Sequence, residues 1–232
     1  MRIPIFRTLI CLALTLGATH TLTAAPIAFT DRAAFDAAVS GLTNVSSSTL
    51  DFDGLSAGTT IADGGTVDGI TFNYSELASF GIDMQVSTGF DTTSGSNFLG
   101  TTDADLFLDG DNFSLDFGPV NAIGMYFISA DPMFDDDITL TAGGATASLV
   151  ASDEQSLFAD GGVAFFLGII DDAATFTSAS IETIGLGAFL YNVDDIVTAK
   201  ANPPVVGVAE PGILALFALG LVGLGFSRRR PS

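Results

Sequence analysis

The stretch Phe113-Ser114-Leu115-Asp116-Phe117 alternates apolar and polar side chains, and Ile123-Gly124-Met125-Tyr126-Phe127-Ile128-Ser129 follows it as a nearly continuous apolar run. Strict alternation is typical of a strand with one solvated face, and a short apolar run is typical of a strand buried on both faces. Just before them, Gly110-Asp111-Asn112 predicts a turn back to a strand over residues 106–109. This region therefore predicts antiparallel strands packed around a core.

Similar short runs recur on both sides of this region, separated by clusters of Gly, Asp, Ser and Thr. The other predicted strands cover residues 49–55, 70–74, 138–141, 146–150, 163–170, 178–184 and 189–198. Residues 44–48 read as a polar loop, and Ala142-Gly143-Gly144-Ala145 as the turn of a hairpin. About ten strands, with turn signals about every 8–14 residues, predict an all-β fold: an antiparallel, jelly-roll-like β-sandwich.

One short helix precedes these strands. The segment from Thr30 to Val39 is rich in alanine, Thr30 can cap its first turn, and Gly41 can end it. We expect Phe35 and Val39 on its apolar face. The helical period disappears after this segment, so the pattern predicts almost no other helix in the domain.

Residues 1–24 read as a secretory signal peptide. Arg2 and Arg7 supply its positive start, residues 9–18 its apolar segment, and the small residues around Ala24 and Ala25 its cleavage site. A first transmembrane helix is the other interpretation, but the apolar segment is short and polar residues interrupt it. Export would place the following β-sandwich domain, residues 25–200, outside the cytoplasm.

Removing the signal peptide changes the chemistry that is available. Cys11 is the only cysteine, His20 is the only histidine, and the chain has no tryptophan. The exported part can therefore form no intramolecular disulfide. It also has no imidazole or thiol for catalysis and none of the usual nitrogen and sulfur ligands of zinc. We predict that the protein is not an enzyme.

Charge is equally one-sided in the exported part. From residue 25 through Glu210, only Arg32 and Lys200 stand against 27 acidic residues, a formal charge of −25. Nucleic-acid binding needs basic patches that offset the phosphate charge, so we exclude it. The same repulsion argues against binding to an anionic lipid surface. Most of the acids are aspartate, which suits turns and oxygen-ligand sites for hard cations.

The chain ends in a segment of different character. Residues 201–210 form a linker, and residues 211–232 form a tail in which an apolar run from Ile213 to Phe226 precedes Arg228, Arg229 and Arg230. As a helix this run would be roughly 21 Å long, against a bilayer core of about 30 Å. Snorkelling arginines would hold its end in the cytoplasm. A plain membrane anchor and a buried core helix are the alternatives.

The order of these features resembles the PEP-CTERM sorting signal of bacterial surface proteins. Glu210-Pro211-Gly212, the short apolar helix and the terminal arginine cluster correspond to its three parts, although Ala209 stands where the family has its first proline. The resemblance implies an exosortase-type membrane protease as partner, which would cut near the Glu-Pro motif. It also implies a product at the cell surface or outside the cell, anchored in the inner membrane either transiently or permanently.

The domain itself is similar to secreted PEP-CTERM sandwich domains. The motifs that carry the likeness are Asp31-Arg32-Ala33-Ala34-Phe35, Leu50-Asp51-Phe52-Asp53, Phe166-Leu167-Gly168-Ile169 and Phe189-Leu190-Tyr191-Asn192-Val193-Asp194-Asp195-Ile196. The likeness extends loosely over residues 29–199. It implies a location in the surface or matrix more than it implies a chemistry.

Paired carboxylates could in principle carry out sugar hydrolysis, and jelly-roll domains often bind sugars. Hydrolysis would need a pair of carboxylates, with candidates among Asp131, Asp135, Asp136 and Asp137. Sugar binding would need exposed aromatic rings, drawn from the 20 phenylalanines or from Tyr74, Tyr126 and Tyr191. Core packing is the ordinary role of these aromatic residues, and Tyr126 lies within an apolar run.

Calcium is the cofactor that the acidic residues favour. Four carboxylates and the amide of Asn112 fall within one turn region, the carboxylates being those of Asp103, Asp105, Asp109 and Asp111. Clustered oxygen ligands suit Ca²⁺, although a solvated acidic loop is the alternative. Asp194 is a second candidate, because period two puts it on the inward face if the last strand buries Leu190 and Ile196. A buried carboxylate there needs either a cation or several hydrogen-bond donors.

These expectations combine into one functional prediction. The protein is a secreted structural or adhesive component of the cell surface or of an extracellular, biofilm-type matrix. The main alternative is a carbohydrate-binding module that retains exopolysaccharide. An acidic-pair glycoside hydrolase is the third hypothesis.

Overall fold

The computed structural model describes residues 25–159, 161–186 and 189–202. The predicted signal peptide lies outside the described residues, and so does the predicted sorting tail with Glu210, Pro211, Gly212 and the three terminal arginines. Within the described part, no helix is long and apolar enough to cross a membrane.

Strands dominate the described part of the chain. Its first half contains β1 (Ile27–Phe29), β2 (Ser46–Leu50), β3 (Thr60–Ile61), β4 (Gly65–Val67), β5 (Ile70–Asn73), β6 (Met84–Thr88), β7 (Asn97–Thr101) and β8 (Phe107–Leu108). Its second half contains β9 (Phe113–Val120), β10 (Ala122–Ser129), β11 (Ile138–Ala142), β12 (Ala145–Ser148), β13 (Ser156–Leu157), β14 (Val163–Ile170), β15 (Phe176–Thr183) and β16 (Leu190–Lys200). The helices described are α1 (Arg32–Ser40) and α2 (Ser75–Ser79).

The strands form two antiparallel sheets. The larger sheet has the order β1-β14-β10-β16-β7-β6-β3, with β13 paired to β14 and with β2 and β8 paired to β16. The smaller sheet has the order β12-β11-β15-β9-β5-β4. Strands take 47% of the described residues and helices 8%, against roughly 20–25% strand in an average globular protein. The prediction of an all-β sandwich is confirmed at this level.

The segment that predicted the sandwich lies in the middle of both sheets. In β9, Phe113 and Leu115 are buried and Asp116 is exposed. The next strand, β10, is buried along nearly its whole length and belongs to the other sheet. Apolar side chains from the facing surfaces of the two sheets form one continuous core, and burial of such surface is the main stabilising contribution in this kind of fold.

A second, smaller core lies on the outer face of the larger sheet, under α1. Phe35 packs there against Phe166, with ring centroids 5.1 Å apart. Gly168 makes this approach possible, because a Cβ at that position would lie 2.6 Å from the Phe35 ring. The Arg32 guanidinium covers the cluster, 5.4 Å from the centroid of the Phe166 ring and 5.7 Å from that of Tyr126.

The predicted helix is confirmed, but its cap is not Thr30. Asp31 caps α1, and its carboxylate accepts a hydrogen bond from the backbone N–H of Ala34 at 2.6 Å. The Thr30 hydroxyl instead donates to Asp153 at 2.6 Å. Gly41 follows the last helical residue, as expected.

The boundaries predicted around residue 50 are wrong. Residues 46–48, expected in a loop, belong to β2 because they pair with the end of β16. The strand ends at Leu50, since Phe52 adopts a left-handed conformation with a φ of 61° and the Asp51 carboxylate accepts the N–H of Asp53 at 3.1 Å. The prediction also lacks β1, β3, β4, α2, β6, β7 and β13. Each of these has five residues or fewer, too few for a periodic pattern to stand out.

The last strand, β16, contains a β-bulge. Gly124 of β10 pairs with Val197, but Tyr126, two residues further on, pairs with Asp194, so β16 has one extra residue between these pairs. Asp195 accommodates the extra length with a left-handed φ of 51°. A bulge of this kind breaks the alternation of side chains between the two faces.

The bulge decides which residues of β16 face the core. Val193 before it and Ile196 after it both belong to the core between the sheets. Asp194 lies on the outer face with its pairing partner Tyr126, and Leu190 is 37% exposed. The prediction that Leu190, Asp194 and Ile196 share one inward face is therefore wrong.

The larger sheet has two distinct ends. At one end Ile27, Ile170, Ala122 and Ala199 pair in a single row across β1, β14, β10 and β16. The described chain therefore begins and finishes at the same end of the sheet, with Ile27 and Ala199 roughly 14 Å apart across three strand spacings. The end of β10 and the starts of β14 and β16 form the opposite end.

Candidate functional site

A loop of residues 89–96 connects β6 to β7 and lies over the outer face of the larger sheet. We call this segment the pinned loop, because three side chains from distant parts of the chain hold it: Asp53, Asn192 and Asp194. All three belong to motifs that resemble PEP-CTERM sandwich domains. Two of those motifs therefore meet at one loop.

Asp194 holds the middle of the pinned loop. Its Oδ2 accepts hydrogen bonds from the backbone N–H groups of Thr93 at 2.9 Å and Ser94 at 3.0 Å, and from the Thr93 hydroxyl at 3.1 Å. Its Oδ1 accepts from the N–H of Asp195 at 2.8 Å. The expected burial of Asp194 is confirmed, and its carboxylate is satisfied by hydrogen-bond donors, the second of the two kinds of partner foreseen for it.

The same environment shifts the titration of Asp194. Its pKa is raised from 3.8 to about 6, first by desolvation of the carboxyl and then by the negative charge of Asp195, while the N–H donors of Ser94 and Thr93 oppose the rise. A carboxyl with this pKa changes its charge in mildly acidic solution. We therefore expect the attachment of the pinned loop to depend on pH.

Asp53 holds the far end of the pinned loop. Its Oδ1 accepts from the backbone N–H groups of Ser96 at 2.9 Å and Asn97 at 3.1 Å. The carboxylate also lies against Gly95, where a Cβ would be 1.8 Å from Oδ2. Gly95 has a positive φ of 35°, so this position of the loop requires glycine for two reasons.

Asn192 holds the near end of the pinned loop. Its Nδ2 donates to the backbone carbonyl of Asp91 at 3.0 Å. This bond orients the amide, because turning it over would place two carbonyl oxygens face to face. Among the described residues, Asn192 Oδ1 is the one buried side-chain oxygen or nitrogen without a hydrogen-bond partner. Such an atom is rare in folded proteins and needs an explanation.

A cleft opens beside Asn192, between the pinned loop and the ends of β10 and β16. Its volume is about 180 Å³. Apolar side chains of Phe90, Leu106, Ile128 and Leu190 line it together with the polar residues Asp91, Asp131 and Asn192. We call it the Phe90 cleft.

Phe90 supplies an exposed aromatic ring to this cleft. The residue is 51% exposed, although it lies on a loop that is fastened on both sides. Its ring meets the buried ring of Phe98 edge to face, with centroids 6.1 Å apart and an angle of 63°. Phe98 therefore supports the ring from below and leaves its other side accessible.

The opposite rim of the cleft is a tight turn after β10. The Ser129 hydroxyl donates to the carbonyl of Leu190 at 2.7 Å. The Asp131 carboxylate accepts from the N–H of the same Leu190 at 2.8 Å, and the N–H of Asp131 donates to the Ser129 hydroxyl at 3.0 Å. These bonds fasten the turn to the first residue of β16, so both walls of the cleft are held in place.

The four aspartates predicted to bind calcium occupy separate hydrogen-bonded positions. Asp103 accepts from the Thr101 hydroxyl at 2.8 Å, and Asp105 accepts from the Ser87 hydroxyl at 3.0 Å. The first bond is local to the end of β7, and the second ties the turn after β7 to the neighbouring strand β6. Local structure therefore explains both carboxylates without a metal ion.

Asp109 and Asp111 lie in the turn between β8 and β9. Asp109 is buried and accepts from the N–H groups of Gly185 at 2.7 Å and Leu186 at 2.8 Å. Burial, together with the charge of Asp103, raises the pKa of Asp111. In the residues described, no three acidic, histidine or cysteine side chains form a group that fits a metal ion. The calcium hypothesis gains no support from this arrangement and stays a prediction.

The carboxylates considered for hydrolysis also bind backbone donors. Asp135 accepts from the N–H of Ala151 at 2.8 Å, and the buried Asp137 accepts from that of Phe134 at 2.6 Å. Asp136 occupies a left-handed turn position with a φ of 66°. These contacts are typical of aspartates that shape turns. They add nothing to the hydrolase hypothesis.

Most of the aromatic residues lie in the two cores, which is their ordinary role. Tyr74 and Tyr191 are buried, whereas Tyr126 is half-buried on the outer face of the larger sheet. The phenylalanines exposed in the described part of the chain are Phe80, Phe90 and Phe134. Of these three, Phe90 lines the cleft to which Asn192, the residue with the unpaired amide oxygen, also contributes.

Comparison with known proteins adds no family to these observations. No protein-family model matches the chain, and a search of curated proteins found no match to it. The likeness to PEP-CTERM proteins rests on the motifs quoted above.

Sequence reasoning did not single out Phe90 or Asn192 as site residues. A weak signal was present for Phe90, which stands as a large apolar side chain in a segment rich in Ser, Thr and Gly. Asn192 gave no signal, because it lies inside a buried strand where its neighbours are apolar. The cleft exists only where the pinned loop meets the ends of β10 and β16.

Proposed function

We propose that the protein is an exported structural component of the cell surface or of the extracellular matrix, delivered by its PEP-CTERM-like tail. The observation that carries the proposal is the order of Glu210-Pro211-Gly212, the apolar run and Arg228 to Arg230 at the end of the chain. The predicted signal peptide at the other end supports export. An exosortase-type protease is the partner that this tail would meet in the membrane.

The geometry of the domain agrees with display from a membrane. The described chain ends beside Ala199, at the end of the larger sheet where Ile27 also lies. The Phe90 cleft is at the other end of β16, about seven residues or roughly 20 Å away. A tail that continues from the first end would put the point of attachment and the cleft at opposite ends of β16.

The charge and the connectivity of the domain support the same role. A formal charge near −25 keeps exported molecules soluble and apart from one another. We also propose a jelly-roll type for the sandwich, because consecutive strands from β9 onward pass repeatedly between the two sheets. Domains of this type present loops at the ends of the sheets, where the Phe90 cleft lies.

Intact-mass analysis of the surface-associated protein tests the proposal. The full chain is produced in a host with and without an exosortase, and the product is expected to end near Glu210-Pro211 only when the protease is present. A matched variant with Arg228, Arg229 and Arg230 replaced by Ala is expected to remain uncut. A product that still ends at Ser232 would show a plain anchor, and a cytoplasmic product that retains residues 1–24 would overturn the proposal.

Carbohydrate binding is a second candidate function, and the Phe90 cleft favours it. Sugar sites combine an exposed aromatic ring with a few convergent polar groups, and the cleft supplies both in Phe90 and Asn192. A matrix protein that also holds exopolysaccharide would unite the two candidates. The jelly-roll likeness alone would not establish such a site.

A further inference from the structure

We propose that the Phe90 cleft binds one ring of a neutral saccharide, with the ring lying on Phe90 and a hydroxyl donating to Asn192 Oδ1. The inference rests on the second candidate function, carbohydrate binding, and is independent of the sorting tail. It assigns that function to one place on the domain and to named atoms.

The amide oxygen of Asn192 supplies the first argument. Asn192 is 1% exposed, and its Nδ2 is engaged with the carbonyl of Asp91. No described residue donates to its Oδ1, yet burial of a carbonyl without a donor is unfavourable. A ligand that carries a hydrogen-bond donor into the cleft would remove this penalty.

The polar groups of the cleft select the kind of ligand. Asn192 Oδ1 and the carboxylates of Asp91 and Asp131 are all hydrogen-bond acceptors. The Ser129 hydroxyl already donates to the carbonyl of Leu190. The acceptor that the described residues leave unpaired, Asn192 Oδ1, therefore calls for a ligand with a hydrogen-bond donor. An anionic ligand is disfavoured by these carboxylates and by the charge near −25 of the whole exported part.

The apolar wall separates a saccharide from a simple cation. Phe90, 51% exposed, and Leu190, 37% exposed, present their side chains to the cleft together with Leu106 and Ile128. A hydrated cation would lose water against this wall and gain nothing from it. A sugar ring has an apolar C–H face for the aromatic ring and hydroxyl donors at its edge, so it matches both halves of the cleft.

The size of the cleft limits the occupant to one small ring. Its volume is about 180 Å³. Sites for drug-sized ligands are larger, about 300–1,000 Å³. A single residue of a polysaccharide would fill the cleft, while the rest of the polymer would extend over the exposed surface.

The absence of tryptophan allows a direct test. The chain has no Trp, so Phe90→Trp would keep an aromatic ring and introduce a single fluorescent reporter in the cleft. The full chain is purified in a zwitterionic detergent and titrated with soluble neutral polysaccharides, namely dextran, β-glucan, mannan, galactan and xylan. At least one of these is expected to shift the Trp emission saturably to shorter wavelength, and alginate, which is anionic, is not.

Matched variants locate the binding site. Phe90→Ala is expected to weaken binding of the same polysaccharide about tenfold or more in affinity electrophoresis, since the stacking face is lost. Phe80→Ala, which removes a ring that is 76% exposed outside the cleft, is expected to leave binding unchanged. Asn192→Leu is expected to weaken binding as well, and its melting temperature shows whether it remains folded.

The outcomes separate the inference from the proposed functions. Undiminished binding by Phe90→Ala would overturn the cleft while keeping carbohydrate binding. No saturable Trp response to any of the five neutral polysaccharides would overturn the cleft, and no retardation of the wild type by any of them in affinity electrophoresis would also overturn carbohydrate binding, without bearing on the sorting tail. A Trp response to methylammonium at matched ionic strength, with none to the polysaccharides, would show that the cleft is a cation site and would also overturn the inference.

Discussion

Asp194 and Thr93 are 101 residues apart in the chain, and the Asp194 carboxylate accepts hydrogen bonds from both the backbone N–H and the hydroxyl of Thr93, at 2.9 and 3.1 Å. This contact fastens the pinned loop to the bulged strand β16. The same loop carries Phe90, so the attachment of a buried carboxylate also positions the exposed ring of the cleft. The attachment of the loop, the titration of Asp194 and the position of the Phe90 ring are therefore linked at this point of the fold.

The raised pKa of Asp194 predicts a specific dependence of stability on pH. The pKa of Asp194 in the folded state, about 6, lies above its ordinary value. The contribution of its titration to the free energy of unfolding is therefore complete below about pH 3.8 and is lost as the pH rises through about 6. Relative to Asp194→Asn, which does not titrate, the wild type is expected to lose about 2 kcal/mol of unfolding free energy between about pH 4.5 and 7.5.

Urea unfolding of both proteins at these two pH values measures this difference. The lower value stays above the sequence pI of about 4.1, where a protein without net charge tends to precipitate. The comparison with Asp194→Asn removes the general effect of the other acids. A constant difference between the two proteins would contradict the assigned titration.

The bonds from Asp53 predict a local loss of stability. Asp53→Ala removes the acceptor for the N–H groups of Ser96 and Asn97 and is expected to lower the unfolding free energy by about 1–2 kcal/mol. Hydrogen exchange at these two amides should accelerate more than exchange in β10. The control Asp172→Ala removes an exposed carboxylate and should change neither. Equal protection of the loop amides in both variants would show that Asp53 does not hold the loop.

The approach of Phe35 to Gly168 predicts a strong effect of one methyl group. Gly168→Ala would place a Cβ 2.6 Å from the Phe35 ring and is expected to destabilise the domain by about 1–3 kcal/mol through overpacking. Gly118→Ala is the matched control, because Gly118 also lies in a strand and has no atom within 4 Å of the added position. The melting temperature of Gly168→Ala is expected to lie below that of Gly118→Ala. Equal melting temperatures would mean that α1 can shift freely.

Stabilisation of the domain by calcium stays a prediction. Excess Ca²⁺ is expected to raise the melting temperature of residues 25–202 more than Mg²⁺ does at matched ionic strength, because a cation would relieve the repulsion between Asp103 and Asp111. Asp103→Ala is expected to lose the gain from Ca²⁺. It is preferred to a change at Asp109, because Asp109 is buried and its removal would destabilise the fold by itself. The control Asp136→Ala is expected to keep the gain. Equal gains from the two ions would reject a specific site.

The sequence by itself determined the class of the fold. The alternation in residues 113–117 and the apolar run in residues 123–129 predicted strands with one and two buried faces, and β9 and β10 have those faces. The Gly143-Gly144 hairpin was also predictable, because both residues have positive φ, 57° and 83°, which glycine adopts without strain. These features depend on a few neighbouring residues, so a local pattern is sufficient to reveal them.

The acidic charge, the lack of Cys, His and Trp after residue 24, and the order of Glu210-Pro211-Gly212, apolar run and arginine cluster were likewise readable from the sequence alone. Each is a property of composition or of contiguous residues. They limit the chemistry available to residues 25–232 and are the basis of the proposed destination. They do not place any site on the domain.

Only the tertiary structure decided the site. The bulge at Asp195 reverses the faces of β16, and a bulge depends on how two strands pair, not on the period within one of them. Asp53, Asn192 and Asp194 converge on the pinned loop from positions about 40 to 100 residues away. The Phe90 cleft, with the unpaired oxygen of Asn192, arises where these separate contacts meet, and no local pattern in the sequence encodes that meeting.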